Sequence, residues 1–456
     1  MKSIILFLFI IYCNFLDGLH LHFRFGNRIN IKDREYKKQI VYTISPDKQK
    51  IVNKINGFYG LIGPDINVSS VNNLFDLFIG DGNIQGVFFD KGNITLIRHF
   101  VRTEKLRYEE RYGQIPHNNF IKFIFILLNK IRLLPNIMGL ANTALFNVRN
   151  KIYALYERDL PYLLNVNFTK KEVTTIQKIE IPRVNHISGH SKFINNSIET
   201  IDYDVLQNHL IYYKLSSEWK SFFKFIIKTN YMPVIHDFWS GEHKVIFVDS
   251  PLMLDYKNIF KKHLPFLMNH NPTFIHVFNK QNQHIEKYQC AKSFYIFHYA
   301  DVIETPTKIH IYASLYEKLD FSELNIRGIY HEIVIDKHTK RVYLTKNPDF
   351  EKYNLDFPIK CADKIIFRNV YNRTINGFVI VEKMKLVKEL LFDDMCIHGE
   401  PALFHVDKIP YLISFAEVNK NSCILFINFE DYSHFHIDVP FHFSLGFHSL
   451  FIPGPT

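Results

Sequence analysis

The chain has 456 residues, 47% of them apolar, and a formal net charge of +10. The apolar share allows a large core and excludes a disordered chain, while five cysteines are too few for a disulfide scaffold. The basic residues are scattered, with no Arg/Lys-rich arm, which excludes a nucleic-acid footprint and leaves solvation or attraction to an anionic membrane surface.

The chain begins with a leader pattern. Lys2 precedes an apolar run over residues 4–12, and polar residues follow. This predicts a signal peptide over residues 1–18 and a secretory-pathway destination, secreted or luminal. The run is too short to span a bilayer comfortably. Glycosylation sequons at Asn67, Asn93, Asn167, Asn195 and Asn372 suit that destination. Cys13 leaves with the leader, so Cys290, Cys361, Cys396 and Cys423 remain for one or two bridges of undefined pairing.

From residue 30 to 456 no Gly/Ser linker, charge block or repeat period divides the chain, which predicts a single domain. Residues 119–134 and 218–228 are apolar with isolated basic residues, and the second carries Trp219. Each predicts a helix, either buried or lying on a membrane with Lys at the headgroups. Short apolar-aromatic runs recur between polar turns: 152–156, 245–248, 294–297, 309–313, 342–344, 365–367, 377–381, 411–415 and 424–427. Many short strands with many turns predict an all-β sandwich, barrel or propeller. Asp336-Lys337-His338 reads as an exposed turn. The 43 Phe and 25 Tyr suit either a codon bias or an aromatic tunnel for an apolar substrate.

Histidine is the candidate for chemistry, although most of the 23 are ordinary surface or hydrogen-bonded residues. His190 (in ISGHSK), His236 (PVIHDF), His298 (FYIFHYADVIE) and His448 (LGFHSLFIP) lie in apolar, strand-like contexts. They are separated by 46, 62 and 150 positions, so no helical pairing joins them. A closed fold is needed, and a propeller suffices because each blade sends an inner strand to the common axis. His434 and His436 alternate on one strand face near His442 and form a rival set. Four imidazoles suit Fe, Zn, Cu or Ni, and ligand type alone does not choose among them. No nucleophile elbow, P-loop or dinucleotide fingerprint appears.

These motifs, in this order, resemble the carotenoid cleavage oxygenases. Gly189-His190-Ser191-Lys192 resembles the family's A-H-P segment, and Ile235-His236-Asp237-Phe238 its M-H-D-F. His298 stands three residues ahead of Asp301-Val302-Ile303-Glu304, which resembles N-A-Y-E. Gly446-Phe447-His448-Ser449-Leu450-Phe451-Ile452-Pro453 resembles G-F-H-G-x-F-x-P. Between them, Phe78-Ile79-Gly80-Asp81-Gly82 is similar to F-D-G-D-G, Arg102-Thr103-Glu104 to R-T-E, and Ala141-Asn142-Thr143 to A-N-T. Glu157 with Leu160-Pro161-Tyr162 and Gly399-Glu400-Pro401 match two further segments, so the resemblance runs from about residue 55 to 453.

The resemblance implies an all-β, seven-bladed β-propeller with helices and loops capping one face. It implies Fe(II) held by His190, His236, His298 and His448, with Glu157, Asp356 and Glu400 accepting their outer N–H groups. The implied reaction is cleavage of a conjugated C=C bond of a carotenoid, apocarotenoid or stilbene-like polyene with O2. Membrane contact through 119–134 or 218–228 would suit such a substrate. Two alternatives stay open: a retinoid isomerase on the same iron site, and an inactive lipid- or partner-binding propeller. Several positions depart from the family's pattern, among them Ile79, Asn83, Gln85 and Ser191. Asp356 replaces a Glu, and its shorter side chain reaches a histidine only if the backbone shifts or a water intervenes.

Overall fold

The computed structural model describes residues 29–455 apart from 67–70, 117–118, 131–132, 256–265, 325 and 372–373. The leader at 1–18, Cys13 and the sequons at Asn67 and Asn372 lie outside the described residues.

Among the described residues the strands fall into seven blades of antiparallel neighbours, mostly four strands each, and the chain is a seven-bladed β-propeller. Blade 1 takes Tyr36–Ile40, Asn56–Pro64, Gly82–Asp90 and Asn93–Phe100, and Ser449–Pro453 adds its innermost strand. Blade 2 runs over residues 144–178, blade 3 over 192–228, blade 4 over 239–290, blade 5 over 299–346, blade 6 over 355–391 and blade 7 over 402–438. Met395–Ile397 joins blades 6 and 7 through the pair Ile375↔Ile397. The two ends of the chain meet in blade 1, where Gly57 pairs with Pro453 and Leu61 with Ser449. This closure joins the two ends of the chain in one blade and carries His448 to the axis.

The blades stack through apolar faces, since alternate residues of each strand point to one side. Tyr59, Leu61, Ile413, Phe415, Ile424 and Phe426, all buried, seal blade 1 against blade 7. A helix at Glu104–Tyr112 and another at Asn119–Lys130 belong to the cap. The Thr103 hydroxyl caps the first by accepting the Leu106 N–H at 3.1 Å, which gives the R-T-E motif a structural role. Asn142 donates to the carbonyls of Phe78 and Gly80, at 2.9 and 2.7 Å. The A-N-T segment therefore holds the FIGDG turn. A Cβ on Gly82 would lie 2.1 Å from the Ala141 carbonyl oxygen, so only glycine fits there.

Most expected strands are present. Two expectations fail. Residues 218–228 do not form a helix: Ser221–Lys228 is the outer strand of blade 3, paired with His209–Ser216. Phe223, Phe225 and Ile227 point inward while Lys224, Ile226 and Lys228 are exposed, a period of two. Trp219, at φ 63°, is buried in the turn ahead of it. Residues 294–297 are not a strand either; Tyr295 makes one isolated bridge with Tyr316. The helix expected over 119–134 forms over Asn119–Lys130. Cys290, Cys361, Cys396 and Cys423 are free thiols, so the bridges allowed by their number do not form.

Candidate metal centre

Each of the four histidines stands just ahead of, or at the mouth of, the innermost strand of a different blade. His190 precedes Lys192–Ile194 of blade 3, His236 precedes Trp239–Ser240 of blade 4, His298 precedes Tyr299–Glu304 of blade 5, and His448 precedes Ser449–Pro453 of blade 1. The three expected carboxylates come from the remaining blades. Glu157 follows the strand Lys151–Leu155 of blade 2, Asp356 lies in Leu355–Cys361 of blade 6, and Glu400 precedes Ala402–Val406 of blade 7. Every blade thus sends one residue to the axis.

The rings converge. His190, His236 and His298 each bring one ligand nitrogen within 4.8 Å of the others. His190 Nε2 and His236 Nε2 are 3.0 Å apart. The His448 ring stands 4.6 Å from that of His190 and 5.0 Å from that of His298, centre to centre. His448 is adjacent to the tight triad rather than within it. The rival residues His434 and His436 lie exposed on the outer strand of blade 7, away from the axis.

Three outer nitrogens have carboxylate partners. His236 Nδ1 meets Glu157, His298 Nδ1 meets Asp356 Oδ1 at 2.8 Å, and His448 Nδ1 lies 3.3 Å from Glu400 Oε2. Each pairing puts the ring's proton on Nδ1 and turns the Nε2 lone pair inward. His298 Nε2 is buried and has no hydrogen-bond partner. Among the described residues no carboxylate meets His190. Burial and the neighbouring histidines hold its basicity well below the usual range, so it stays neutral. Burial likewise lowers His448. Burial opposes charge on His236 too, but the Glu157 carboxylate outweighs it and raises that ring's pKa.

Asp356 reaches His298 directly. The strand register breaks between Asp356 and Ile359, and Phe357 adopts φ 56°, so a backbone shift supplies what the missing methylene took away. Tyr316 Oη donates to Asp356 Oδ2 at 2.7 Å, and the Phe357 N–H donates to Oδ1 at 2.8 Å. Burial disfavours the carboxylate, yet the imidazole, the tyrosine hydroxyl and Arg368 together hold its pKa at about 2. Sequence reasoning missed Tyr316, Phe357 and Arg368. Of these only Phe357, beside Asp356 in LDFPIK, carried a local signal.

Three of the departures from the family pattern have structural roles, and nothing in the structure explains Ile79, which is exposed. Gln85 exchanges two hydrogen bonds with the Ser444 backbone, at 2.8 and 2.6 Å. Asn83 donates to the Gly63 carbonyl at 3.2 Å. Ser191 Oγ is tied to Thr200 Oγ1 at 2.8 Å.

An apolar wall stands over the rings: Leu74, Leu252, Tyr295, Phe297, Tyr316, Leu319 and Phe321, all buried. The Phe297 ring meets His236 edge-on, 5.5 Å between centres. A cavity of about 180 Å³ opens beside His190 and His448, lined by Leu145, Phe146, Leu155 and Glu400 among others. It is partly polar, and of its lining only Phe146 is a Phe or Tyr, so it is not the aromatic tunnel that was one of the two readings of the Phe and Tyr content.

The chain is 28% identical over 263 residues to carotenoid 9,10(9',10')-cleavage dioxygenase 1 of Arabidopsis thaliana, covering 54% of this chain and 47% of that protein. It is 26% identical over 384 residues to the Pisum sativum enzyme of the same name, covering 76% and 68%. The chain spans about half the length of the first curated relatives it matches. Among solved structures, cobalt-substituted ACO of Synechocystis superposes with a TM-score of 0.71 at 16% identity, covering 95% of this chain and 97% of that one. The lignostilbene dioxygenase of Pseudomonas brassicacearum gives 0.72 at 15% identity, covering 92% and 96%. Residues 50–365 match the profile of the family described as retinal pigment epithelial membrane protein, and the chain belongs to that family, as a divergent carotenoid cleavage oxygenase.

Proposed function

We propose that the chain is a non-haem Fe(II) dioxygenase that cleaves a conjugated C=C bond of an apolar polyene with O2. Carotenoids, apocarotenoids and stilbene-like compounds are the substrate class. The observation that carries this reading is the convergence of the His190, His236 and His298 nitrogens, with His448 beside them.

The residues fit a metal. Two nitrogens about 2.1 Å from one cation and at right angles lie about 3.0 Å apart, and the His190 and His236 Nε2 atoms are 3.0 Å apart. The buried, partnerless His298 Nε2 is a donor kept for an ion. Imidazoles alone admit several metals; the relatives named as dioxygenases favour iron. His190, His236, His298 and His448 would hold it, oriented by Glu157, Asp356 and Glu400. Fe(II), when bound, supplies the activation of O2, and the net reaction places one oxygen atom on each carbon of the broken bond.

The chain's own residues bind and orient the polyene and exclude water. Tyr295, Phe297, Tyr316 and Phe321 offer it aromatic faces beside the rings. The 180 Å³ cavity on the His190 and His448 side is smaller than the roughly 300–1,000 Å³ of most ligand sites, so a polyene reaches the rings only with side-chain movement. The exposed Ile126 and Leu127 on the cap helix support a peripheral membrane contact through which an apolar substrate would arrive. No described helix is long and apolar enough to cross a membrane. The leader pattern over residues 1–18 supports assigning this activity to the secretory pathway, as part of the same proposal.

The test is anaerobic loading with Fe(II), then incubation with a panel of polyenes under O2, with products read by mass spectrometry. Shortened products that each gain one oxygen atom are expected. An isomer of unchanged mass would assign isomerase chemistry. Absence of iron uptake, with histidine variants matching the parent, would leave only a binding propeller.

A further inference from the structure

Arg368 lies directly opposite Asp356 in the antiparallel register of Leu355–Cys361 and Lys364–Tyr371. Residues so paired present their side chains on the same face of the sheet, here toward the axis. The guanidinium carbon of Arg368 sits 3.2 Å from the centre of the Phe357 ring. That ring stacks on His448, 4.6 Å between centres and 28° between planes, and lies 4.5 Å from the His298 ring. Arg368 Nε is shut off from solvent and finds no hydrogen-bond partner. An arginine in this state is costly unless nearby charge compensates it. Asp356 and Glu400 both act on it electrostatically, and although burial lowers its pKa to about 10, it stays charged at neutral pH.

The charges at the axis are few. Glu157, Asp356 and Glu400 contribute three carboxylates around the four rings, and Arg158 stands on the Glu157 side, over the ring of Tyr203, whose hydroxyl donates to Glu157. Lys192 and Asp237 form their own pair, 2.7 Å apart, and cancel. On the side of His298 and His448, Arg368 is the cation in register with Asp356 and acted on by Glu400. We infer that Arg368 is a positioning residue whose charge sets the affinity for a divalent metal from behind Phe357, without touching the metal. The inference rests on the metal reading proposed above and assigns a role to a residue outside that set.

Charge and scaffolding predict opposite results when Arg368 is neutralised. If Arg368 only props Phe357 against His448, Arg368→Met loosens the rings and weakens metal binding. If its charge matters, Arg368→Met removes a repulsion acting on the incoming cation and tightens binding. At a separation on the order of 10 Å and an effective dielectric of about 20, the repulsion between one positive charge and a divalent cation corresponds to on the order of a hundredfold in affinity. Lysine keeps the charge but not the planar stack.

The experiment is titration of the metal-free protein with Co(II), read by its visible absorption bands, for the parent, Arg368→Met, Arg368→Gln and Arg368→Lys. Glutamine is the second neutral variant if methionine impairs folding, which thermal melting monitors. Tightening on the order of a hundredfold in either neutral variant, with Arg368→Lys near the parent, is the expected result. Unchanged or weaker binding in the neutral variants, with the parent binding Co(II), overturns this inference alone. A parent that takes up no metal overturns it together with the proposed function.

Discussion

Asp356 Oδ1 accepts a hydrogen bond from His298 Nδ1 at 2.8 Å, across the boundary between blades 6 and 5. The same carboxylate is closed on its other side by Tyr316 Oη at 2.7 Å and from its own backbone by the Phe357 N–H. The aspartate is therefore built into this centre with its acceptor sites in use. Asp356→Ala should leave the His298 Nδ1–H buried without a partner and lower Co(II) or Fe(II) affinity by roughly 10–100-fold. Asp356→Glu restores the residue usual in the family, yet its extra methylene enters a space already filled, so it too should weaken binding, by less. Tyr316→Phe removes one donor and should have the smallest effect. Metal titration of the three variants checks the ranking, and a Glu variant that binds more tightly than the parent would contradict it.

The site was legible because each histidine carries its own local motif, and the closing strand Ser449–Pro453 brings the last of them back to the first blade. The propeller was legible as many short runs between turns. Residues 218–228 were misread because KSFFKFIIK satisfies both periods: Lys220, Lys224 and Lys228 fall at helical spacing, while the inward set Phe223, Phe225 and Ile227 follows a period of two. Side-chain partners were the least visible. Tyr316 lies 40 positions from Asp356, and Arg368 sits in IIFRNVY, where an arginine reads as an ordinary solvent-facing residue. Only the strand register turns it toward the axis.

Glu35 governs part of the acid stability. Burial disfavours its charge, but His99, the Phe100 N–H and Arg102 hold its pKa at about 2, below the unfolded value of 4.5. A carboxylate whose folded pKa is depressed stabilises the fold above its unfolded pKa, and the stabilisation fades as pH falls through the folded one. Glu35→Gln should cost about 1 kcal/mol near neutrality, discounted for solvent screening. The difference from the parent should shrink between about pH 5 and pH 2. Urea unfolding at several pH values measures it; a gap that widens toward acid would refute this assignment.

Blades 3 and 4 share a buried ion pair. Lys280 Nζ lies 2.6 Å from Glu199 Oε2 and also donates to the Gly241 carbonyl. The two side chains are 10% and 2% exposed, so neither charge has bulk water as an alternative partner. Lys280→Met would strand the carboxylate and should destabilise the fold by about 3–5 kcal/mol. Adding Glu199→Gln in the same chain should recover a large part of that loss, because the uncompensated charge is then gone. Chemical denaturation of the single and double variants tests this, and a double variant less stable than Lys280→Met would count against it.

The cap helix Asn119–Lys130 buries Phe125 and Leu128 against Tyr108, Ile115, Leu134 and Ile137, which accounts for one apolar face. Its Ile126 and Leu127 point away from that cluster and are 41% and 52% exposed. Two large aliphatic residues side by side in water have a use if this surface meets lipid, since inserting each, already about half covered, would gain about 1 kcal/mol. The double variant Ile126→Glu, Leu127→Glu adds charge where insertion needs apolar area. It should reduce sedimentation with anionic phospholipid vesicles by at least tenfold. Its metal affinity and melting temperature should match the parent, because neither side chain supports the core. Equal sedimentation of parent and variant would assign the two residues to ordinary surface, and the arrival of substrate from a membrane would lose its support.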